Sequence, residues 1–146
     1  MTVEQLEKIA WLNRAYYADI KLNSLISQRY KLRELTQRVS ICYEGNSKGK
    51  SATRKNGAED ALMRLADIER TIDSEVKNLI DVYTEIDRAI KAVDDPVLQT
   101  ILKRRYLAFE TMEQIAEGIN YSVRDTKRKH KKALDKVVTL CHCMSP

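Results

Sequence analysis

Glycine and proline are scarce in this 146-residue chain, which contains four glycines and two prolines. These residues interrupt helices and build turns, so their scarcity predicts long helices. No apolar run is long enough to cross a membrane, and no basic start followed by an apolar run marks the N-terminus for secretion. The three cysteines, an odd number, do not make a disulfide framework, which indicates a reducing, cytoplasmic location.

The composition is that of a folded, basic protein. Hydrophobic residues make up 43% of the chain and charged residues 32%, so it is too apolar to be disordered. Its length fits one domain, or a compact module with an elongated attachment. The net charge of +5 and the pI near 9.1 permit binding to nucleic acid without requiring it. The location of the positive charge is therefore more informative than its total.

The first two thirds of the chain predict a helical hairpin. Thr2 and Gln5 have the spacing of a capping box and open a helix that we expect to run unbroken to about Ser40. Residues 43–57 contain three of the four glycines among polar and basic residues, which is typical of a loop. A second long helix is predicted over residues 58–93. Two long helices joined by one loop make an antiparallel, coiled-coil-like hairpin.

The second of these helices has an apolar seam at alternating spacings of three and four residues. Its members are Leu65, Ile68, Ile72, Leu79, Val82 and Ile86. Glu75 is the one polar break in this seam. Two helices bury too little apolar surface by themselves, so residues 1–93 are predicted to form a homo-oligomer, a dimer or larger, through such seams.

The pair Asp94 and Asp95 precedes Pro96 at the start of a third helix. Asp95 is expected to cap this helix and Pro96 to take its first position, which explains the acidic pair without invoking catalysis. The helix is predicted to run to about Leu107 and carries Lys103, Arg104 and Arg105 in its last turns.

Two shorter helices follow, each with a capping residue. Thr111 is expected to cap a helix over 112–119, and Ser122 one that runs from Val123 to about Val138. A short helix, a tight corner and a second helix make a helix-turn-helix, in which the second helix lies in a major groove of DNA. Residues 94–138 are therefore predicted to form a helix-turn-helix domain, followed by a loose tail over 139–146.

The corner between these helices lacks the usual glycine. Gly118 lies too early, so Asn120 is predicted to take the left-handed conformation, which asparagine tolerates. Gly118 is then expected on the outward face of the short helix, where it weakens the helix by up to about 1 kcal/mol relative to alanine.

The stretch from Asp95 to Val137 resembles the fourth region of the sigma-70 family, which reads the −35 promoter element. The resemblance rests on Arg105-Tyr106, on residues 111–116 (TMEQIA), on Tyr121-Ser122 and on Ala133-Leu134. The chain is also similar to small phage and prophage proteins that carry this module, including the ArpU-type regulators of late transcription and a related uncharacterised phage family. The resemblance implies double-stranded DNA as the partner, transcriptional control as the function and a bacterial host cytoplasm as the location.

The last helix carries the candidate DNA-binding surface. At about 100° per residue, Lys127, Arg128 and Lys131 fall within a narrow arc beside Arg124. Arginine is able to bind guanine with two hydrogen bonds, whereas lysine more often meets phosphate. We therefore predict that Arg124 and Arg128 contact bases, with Val123 touching a thymine methyl. The predicted phosphate contacts are Ser122, Lys127, Lys131, Lys132, Arg104 and Arg105.

The opposite face of this helix departs from the family pattern. Thr126 and Lys129 occupy positions where the family usually has valine, isoleucine or leucine, whereas Ala133 and Val137 fit. Lys129 is expected to bury only its stem, with its charged head beyond the edge of the core. Two polar residues on the packing face predict a module less stable than a typical one. His130 is placed at the rim of the core.

Catalytic and metal sites are not predicted. Cys141-His142-Cys143 with His130 matches no common zinc spacing. The sequence contains no phosphate-cradling glycine loop, no nucleophile elbow and no histidine-based catalytic set. We therefore expect neither an enzyme nor a bound cofactor.

Three functions remain open at this stage. The first is a sequence-specific phage regulator, with late-gene activation implied by the resemblance. The second is a protein-interaction factor whose sigma-like module contacts RNA polymerase or another regulator. The third is a DNA-recognition subunit of a phage terminase, although such subunits usually place their DNA-binding end first.

Overall fold

The described part of the chain is all-helical. A computed structural model describes residues 1–44 and 52–139, apart from the side chains at 40, 42–44 and 52–56. Six helices follow one another in chain order: α1 (Val3–Leu12), α2 (Arg14–Glu44), α3 (Ala52–Lys91), α4 (Pro96–Tyr106), α5 (Met112–Ile119) and α6 (Val123–Lys136). The predicted helical class is confirmed. No helix in these two described ranges is both long and apolar enough to cross a membrane.

The prediction of one unbroken first helix is wrong at Asn13. The capping box of Thr2 and Gln5 is present, but α1 ends at Leu12 and α2 begins at Arg14, with Asn13 between them at φ −71°, ψ −5°, still in the right-handed helical region. Asparagine is a poor residue inside a helix because its side chain competes for backbone hydrogen bonds. Arg14 stabilises the break, since its Nε donates to the Trp11 carbonyl at 3.1 Å and its guanidinium lies 4.6 Å from the Trp11 ring centre.

The predicted loop over 43–57 is too long at both ends. Helix α2 continues to Glu44, and α3 begins at Ala52 instead of at about 58. Residues 45–51 of that prediction lie outside the described residues. The glycine at 57 is thus inside a helix, where it has open space around it.

The chain divides into two compact units, which differ from the predicted boundary at 93 and 94. One unit consists of residues 1–18 together with the chain from Leu79 onward, and the other consists of residues 19–78. Helix α1 and the end of α3 therefore belong with α4, α5 and α6. The predicted DNA-binding domain is only part of a larger folded unit.

The core of the first unit joins segments from both ends of the sequence. Its buried side chains are Trp11, Leu12, Ala15, Ile86, Ile90, Val93, Leu98, Leu102, Tyr106, Ala133, Leu134 and Val137. Each fully buried large side chain contributes roughly 1.5–3 kcal/mol relative to an exposed one. Helix α6 packs against α1, α4 and α5, so the orientation of its outer face depends on this shared core.

In the unit of residues 19–78, ion pairs join α2 to α3. Lys21 Nζ lies 2.7 Å from Glu75 Oε1, and Arg33 Nη2 lies 2.8 Å from Glu69 Oε1. The polar break predicted at Glu75 is therefore paired with a cation. Lys21 precedes Arg33 in α2, whereas its partner Glu75 follows Glu69 in α3. This order is the one expected for antiparallel helices.

Every residue of the predicted oligomer seam is at least half-buried within this single chain. Ile72 and Ile86 are buried, while Leu65, Ile68, Leu79 and Val82 are half-buried. Part of the seam is thus used for packing inside the chain. Of these residues, Leu79, Val82 and Ile86 belong to the first unit.

Helix α4 begins as its sequence predicts. The carboxylate of Asp95 accepts hydrogen bonds from the backbone N–H groups of Val97 and Leu98, at 2.9 and 3.4 Å, and Pro96 is the first helical residue. The bond from Val97 holds the pKa of the Asp95 carboxyl below its usual value. Capping therefore accounts for this aspartate.

Candidate nucleic-acid interface

The corner between α5 and α6 has the conformation predicted for it. Asn120 ends α5 with φ 57° and ψ 41°, in the left-handed region. The Asn120 N–H donates to the Glu117 carbonyl at 3.3 Å, and the Tyr121 N–H donates to the Ala116 carbonyl at 3.0 Å. These bonds satisfy the last carbonyls of α5 and direct the chain into α6.

Both helices of this pair carry side-chain caps. Thr111 and Gln114 form a reciprocal capping box at the start of α5, with distances of 2.9 and 3.3 Å. At the start of α6, the Asp125 N–H donates to Ser122 Oγ at 3.1 Å, and the Ser122 hydroxyl donates to Asp125 Oδ2 at 2.9 Å. The Ser122 hydroxyl proton is thus already used, which weakens the prediction that it contacts phosphate.

The two polar side chains on the inner face of α6 both have interaction partners within the protein, which its sequence did not predict. Thr126 is fully buried, and its hydroxyl donates to the Ser122 carbonyl at 2.9 Å. A buried hydroxyl with a hydrogen-bond partner costs little, so the instability predicted for this position is not expected. Lys129 is half-buried, with Nζ 5.0 Å from the centre of the Tyr121 ring, a favourable cation–π geometry.

His130 lies inside the core, and its predicted place at the rim is wrong. The ring is 5% exposed, stacks on Tyr106, and shares a hydrogen bond of 2.8 Å between Nε2 and the Tyr106 hydroxyl. Burial, with a smaller contribution from Arg105, lowers the pKa of His130 to about 4. Burial also raises the pKa of Tyr106 to about 12. The pair is therefore neutral at neutral pH.

The outer face of α6 brings the predicted DNA-reading residues together. Val123, Arg124, Lys127, Arg128 and Lys131 line one shallow depression on the surface. Arg128 Nη2 lies 3.2 Å from Asp125 Oδ1, an exposed pair of the kind that contributes only about 0.2–1 kcal/mol. Within the described residues, the other three cations of this depression form no ion pair.

The side chains of Arg104 and Arg105, which are neighbours in the sequence, have different surroundings. Arg105 and Tyr106 of α4 share a cleft of about 280 Å³ with Lys127, His130 and Lys131 of α6. Arg105 also donates from Nη1 to the Glu110 carbonyl at 2.9 Å. Arg105 is therefore positioned beside the basic face of α6, as a phosphate contact would require.

Arg104 is turned toward α5 instead. Its Nε lies 3.0 Å from Glu110 Oε2, and its guanidinium covers Gly118. The Glu110 oxygen is buried and lacks a well-aligned hydrogen bond, so charge attraction to Arg104 is its main compensation. Because this guanidinium is committed to the protein, Arg104 is a weak candidate for a phosphate contact.

The same geometry changes the interpretation of Gly118. The residue is exposed, but a Cβ placed there would overlap the guanidinium of Arg104. Gly118 is therefore more than a weak point in α5, because its missing side chain makes room for the ion pair of Arg104 with Glu110.

We expect Gly118→Ala to change the free energy of unfolding by less than about 0.5 kcal/mol, since the gain in helix propensity and the disturbed ion pair offset each other. In an Arg104→Met background the same substitution should stabilise the protein by about 0.5–1 kcal/mol. Gly57→Ala, with open space around it, is the matched control and should stabilise in both backgrounds. Chemical denaturation of the two backgrounds, each with and without either glycine substitution, measures the coupling. Equal gains from Gly118→Ala in both backgrounds would contradict a role for Arg104.

A metal centre is not formed by the described residues, in which no three histidine, cysteine, aspartate or glutamate side chains converge. The motif Cys141-His142-Cys143 lies outside them.

The chain has no match among protein-family models, curated proteins or solved structures.

Proposed function

We propose that this protein is a sequence-specific double-stranded DNA-binding protein, built as a helical hairpin followed by a helix-turn-helix. The left-handed corner at Asn120 and the caps at Thr111 and Ser122 support the second part of this architecture. In this proposal α6 enters the major groove, and the protein regulates transcription of phage or prophage genes, in keeping with its resemblance to late-gene regulators.

The unbalanced charge of α6 is the observation that carries the proposal. Seven residues between Arg124 and Lys136 are basic, and the single ion pair that they form within the described residues is that of Arg128 with Asp125. On α1, α2, α3 and α4, by contrast, cations form ion pairs with carboxylates. Like charges on one helix repel each other, and a polyanion that displaces its counterions relieves that repulsion.

Different cations take different roles in this proposal. Arg124 and Arg128 read base edges, because the arginine fork matches two acceptors of guanine, and Val123 touches a thymine methyl. The phosphate contacts are Lys127, Lys131, Lys132 and Arg105. Arg104 and Ser122 contribute less, since their polar groups are engaged within the protein.

Selection of bound duplexes from a random-sequence library, followed by affinity measurements, tests the proposal. Arg124→Ala should cost about 1–3 kcal/mol on the selected site and relax preference at one base position. Lys131→Ala should weaken binding to all sequences alike and make the salt dependence shallower by about one unit. Arg38→Ala and Lys77→Ala remove exposed cations from the other unit and serve as matched controls.

If Arg124→Ala and Arg128→Ala leave affinity and preference unchanged, the groove assignment is wrong. The protein-interaction function, in which RNA polymerase or another regulator binds the sigma-like module, would then replace it. The terminase-like function predicts binding to DNA at packaging sites instead of promoters, and the selected sequences would distinguish the two.

We also propose that the unit of residues 19–78 self-associates. Ile72 is the one buried hydrophobic side chain among its described residues, while apolar side chains such as Tyr30, Leu62 and Met63 remain more than half exposed. A two-helix unit with so little buried area gains stability from a second copy.

Sedimentation at tens of micromolar protein should therefore show a dimer or larger species. The double substitution Leu62→Asp with Met63→Asp should shift it toward the monomer, because charges would enter a dry interface. Ile68→Asp, at a half-buried position, should instead lower thermal stability. If the wild-type protein is a monomer under these conditions, the proposed self-association is wrong.

A further inference from the structure

Helix α1 holds the C-terminal end of α6 through a polar contact. Gln5 Nε2 donates to Asp135 Oδ1 at 2.6 Å, and Lys8 Nζ reaches the Asp135 carbonyl at 3.5 Å. Gln5 and Lys8 are each only 9% exposed, whereas Asp135 is exposed, so the contact is partly buried. Hydrogen bonds to a carboxylate are shorter and stronger than those between neutral groups.

The capping box of α1 sets the orientation of the Gln5 amide. Its Oε1 accepts from the Thr2 N–H at 3.2 Å, and its own backbone N–H donates to Thr2 Oγ1 at 3.3 Å. With the amide oxygen fixed on Thr2, the amide nitrogen is directed at Asp135. One side chain therefore caps α1 and attaches it to α6.

Asp135 lies on the same side of α6 as the candidate DNA-reading residues. It follows Arg124 by eleven positions, which at about 100° per residue places it roughly 20° from Arg124 around the helix. Arg128 and Lys131 belong to the same arc. A carboxylate free to move on this side would repel DNA phosphates.

We propose that Gln5 is a positioning residue of the DNA interface. By holding the Asp135 carboxylate against α1, it keeps this charge away from phosphate and ends the anion-binding face of α6 after Lys131 and Lys132. The inference rests on the proposed function, because it assigns Gln5 a role in binding DNA. It also extends the DNA-binding unit to a helix that precedes the helix-turn-helix by about a hundred residues.

The variant Gln5→Glu separates the two roles of this side chain. Glutamate retains the capping box with Thr2, since it also accepts from the N-cap N–H. It replaces the donor to Asp135 with a second carboxylate, so the contact becomes repulsive. In Gln5→Glu with Asp135→Asn, the asparagine amide again donates to residue 5 and the wild-type net charge is restored. Gln28→Glu, on the exposed surface of the other unit, makes the same chemical change as a control.

Two measurements are made on each full-length variant. Hydrogen exchange of the backbone amides at 133–137 reports whether α6 is held by α1. Binding to a labelled mixed-sequence duplex of about 30 base pairs, over a salt series, reports the effect on DNA. Gln5→Glu should speed the exchange and weaken binding on the order of tenfold, about 1.4 kcal/mol. The double variant should restore both, and Gln28→Glu should change neither.

Unchanged exchange in Gln5→Glu would overturn the attachment. Faster exchange with unaltered DNA affinity would overturn the positioning role, while leaving the proposed function to stand if Arg124→Ala still weakens binding. Failure of the double variant to recover affinity would also overturn it. If wild-type protein and Arg124→Ala bind DNA equally, the proposed function itself fails, along with the role of Gln5 in it.

Discussion

Acidification from about pH 7.5 to about pH 5 should lower the free energy of unfolding of the first unit by about 2 kcal/mol, and His130 should account for most of this loss. The reason is the buried hydrogen bond between His130 and Tyr106, which holds the imidazole in its neutral form. A charged imidazole at this site would have to be buried without a carboxylate beside it.

The direction of the pKa shift of His130 determines whether stability rises or falls with pH. Burial lowers the pKa of His130 from 6.5 to about 4. Between these two pH values, His130 is therefore protonated in the unfolded chain but neutral in the folded protein. Proton uptake then favours unfolding, and stability falls as the pH drops below about 6.5. The carboxyls of Asp87, Asp95 and Glu113 have lowered pKa values, so the stability they contribute is lost only in more acidic solution.

Denaturant titrations followed by tryptophan fluorescence measure this effect, because the only tryptophan, Trp11, is buried in the same core. His130→Gln should make the free energy of unfolding nearly independent of pH between about pH 6.5 and about pH 5. His142→Gln removes the only other histidine and should leave the dependence as in the wild type. An equally steep loss of stability in His130→Gln would mean that another group controls it.

Helix starts and the corner before α6 were predictable because they are local. Thr2, Asp95, Thr111 and Ser122 each cap a helix through bonds to residues two or three positions away, so the sequence spacing contains the geometry. The left-handed corner at Asn120 follows from the same local chemistry. In contrast, α3 begins among the glycines and polar residues that predicted a loop, so its start was missed.

The inner face of α6 shows where sequence patterns mislead. A polar residue on a packing face predicts weakness, but Thr126 bonds the carbonyl four residues earlier, and that spacing was available as a signal. The partner of His130 was not available, because Tyr106 lies on another helix and the pairing depends on how α4 crosses α6. The grouping of basic residues on the outer face of α6 was predictable without the tertiary structure, since helical periodicity alone places them on one side.

The role of α1 was the largest omission, and its cause is physical. The bond of Gln5 to Asp135 joins residues 130 positions apart, and the sequence spacing of Gln5 indicated only its capping box with Thr2. Sequence periodicity shows which face of a helix is apolar but not which other helix covers it. The boundary predicted at 93 and 94 therefore left α1 out of the unit to which it belongs.

A truncation of the buried face of α6 should have the largest effect on stability. Leu134 is fully buried in the core of the first unit, and α6 contacts α1, α4 and α5. We expect Leu134→Ala to lower the free energy of unfolding by about 2–5 kcal/mol, through lost burial and the cavity left behind. Because both ends of the sequence share this core, α1 should lose protection from hydrogen exchange together with α6.

Leu6→Ala is the matched control for this substitution, since it removes the same atoms from α1 at a position that is 54% exposed. It should cost less than about 0.5 kcal/mol. Fluorescence of Trp11 follows unfolding, and exchange at the amides of α1 and α6 shows whether the two helices open together. If Leu134→Ala loosened α6 while α1 kept its protection, the shared core would not hold α1 in place. The basic face of α6 would then be oriented by α4 and α5 alone.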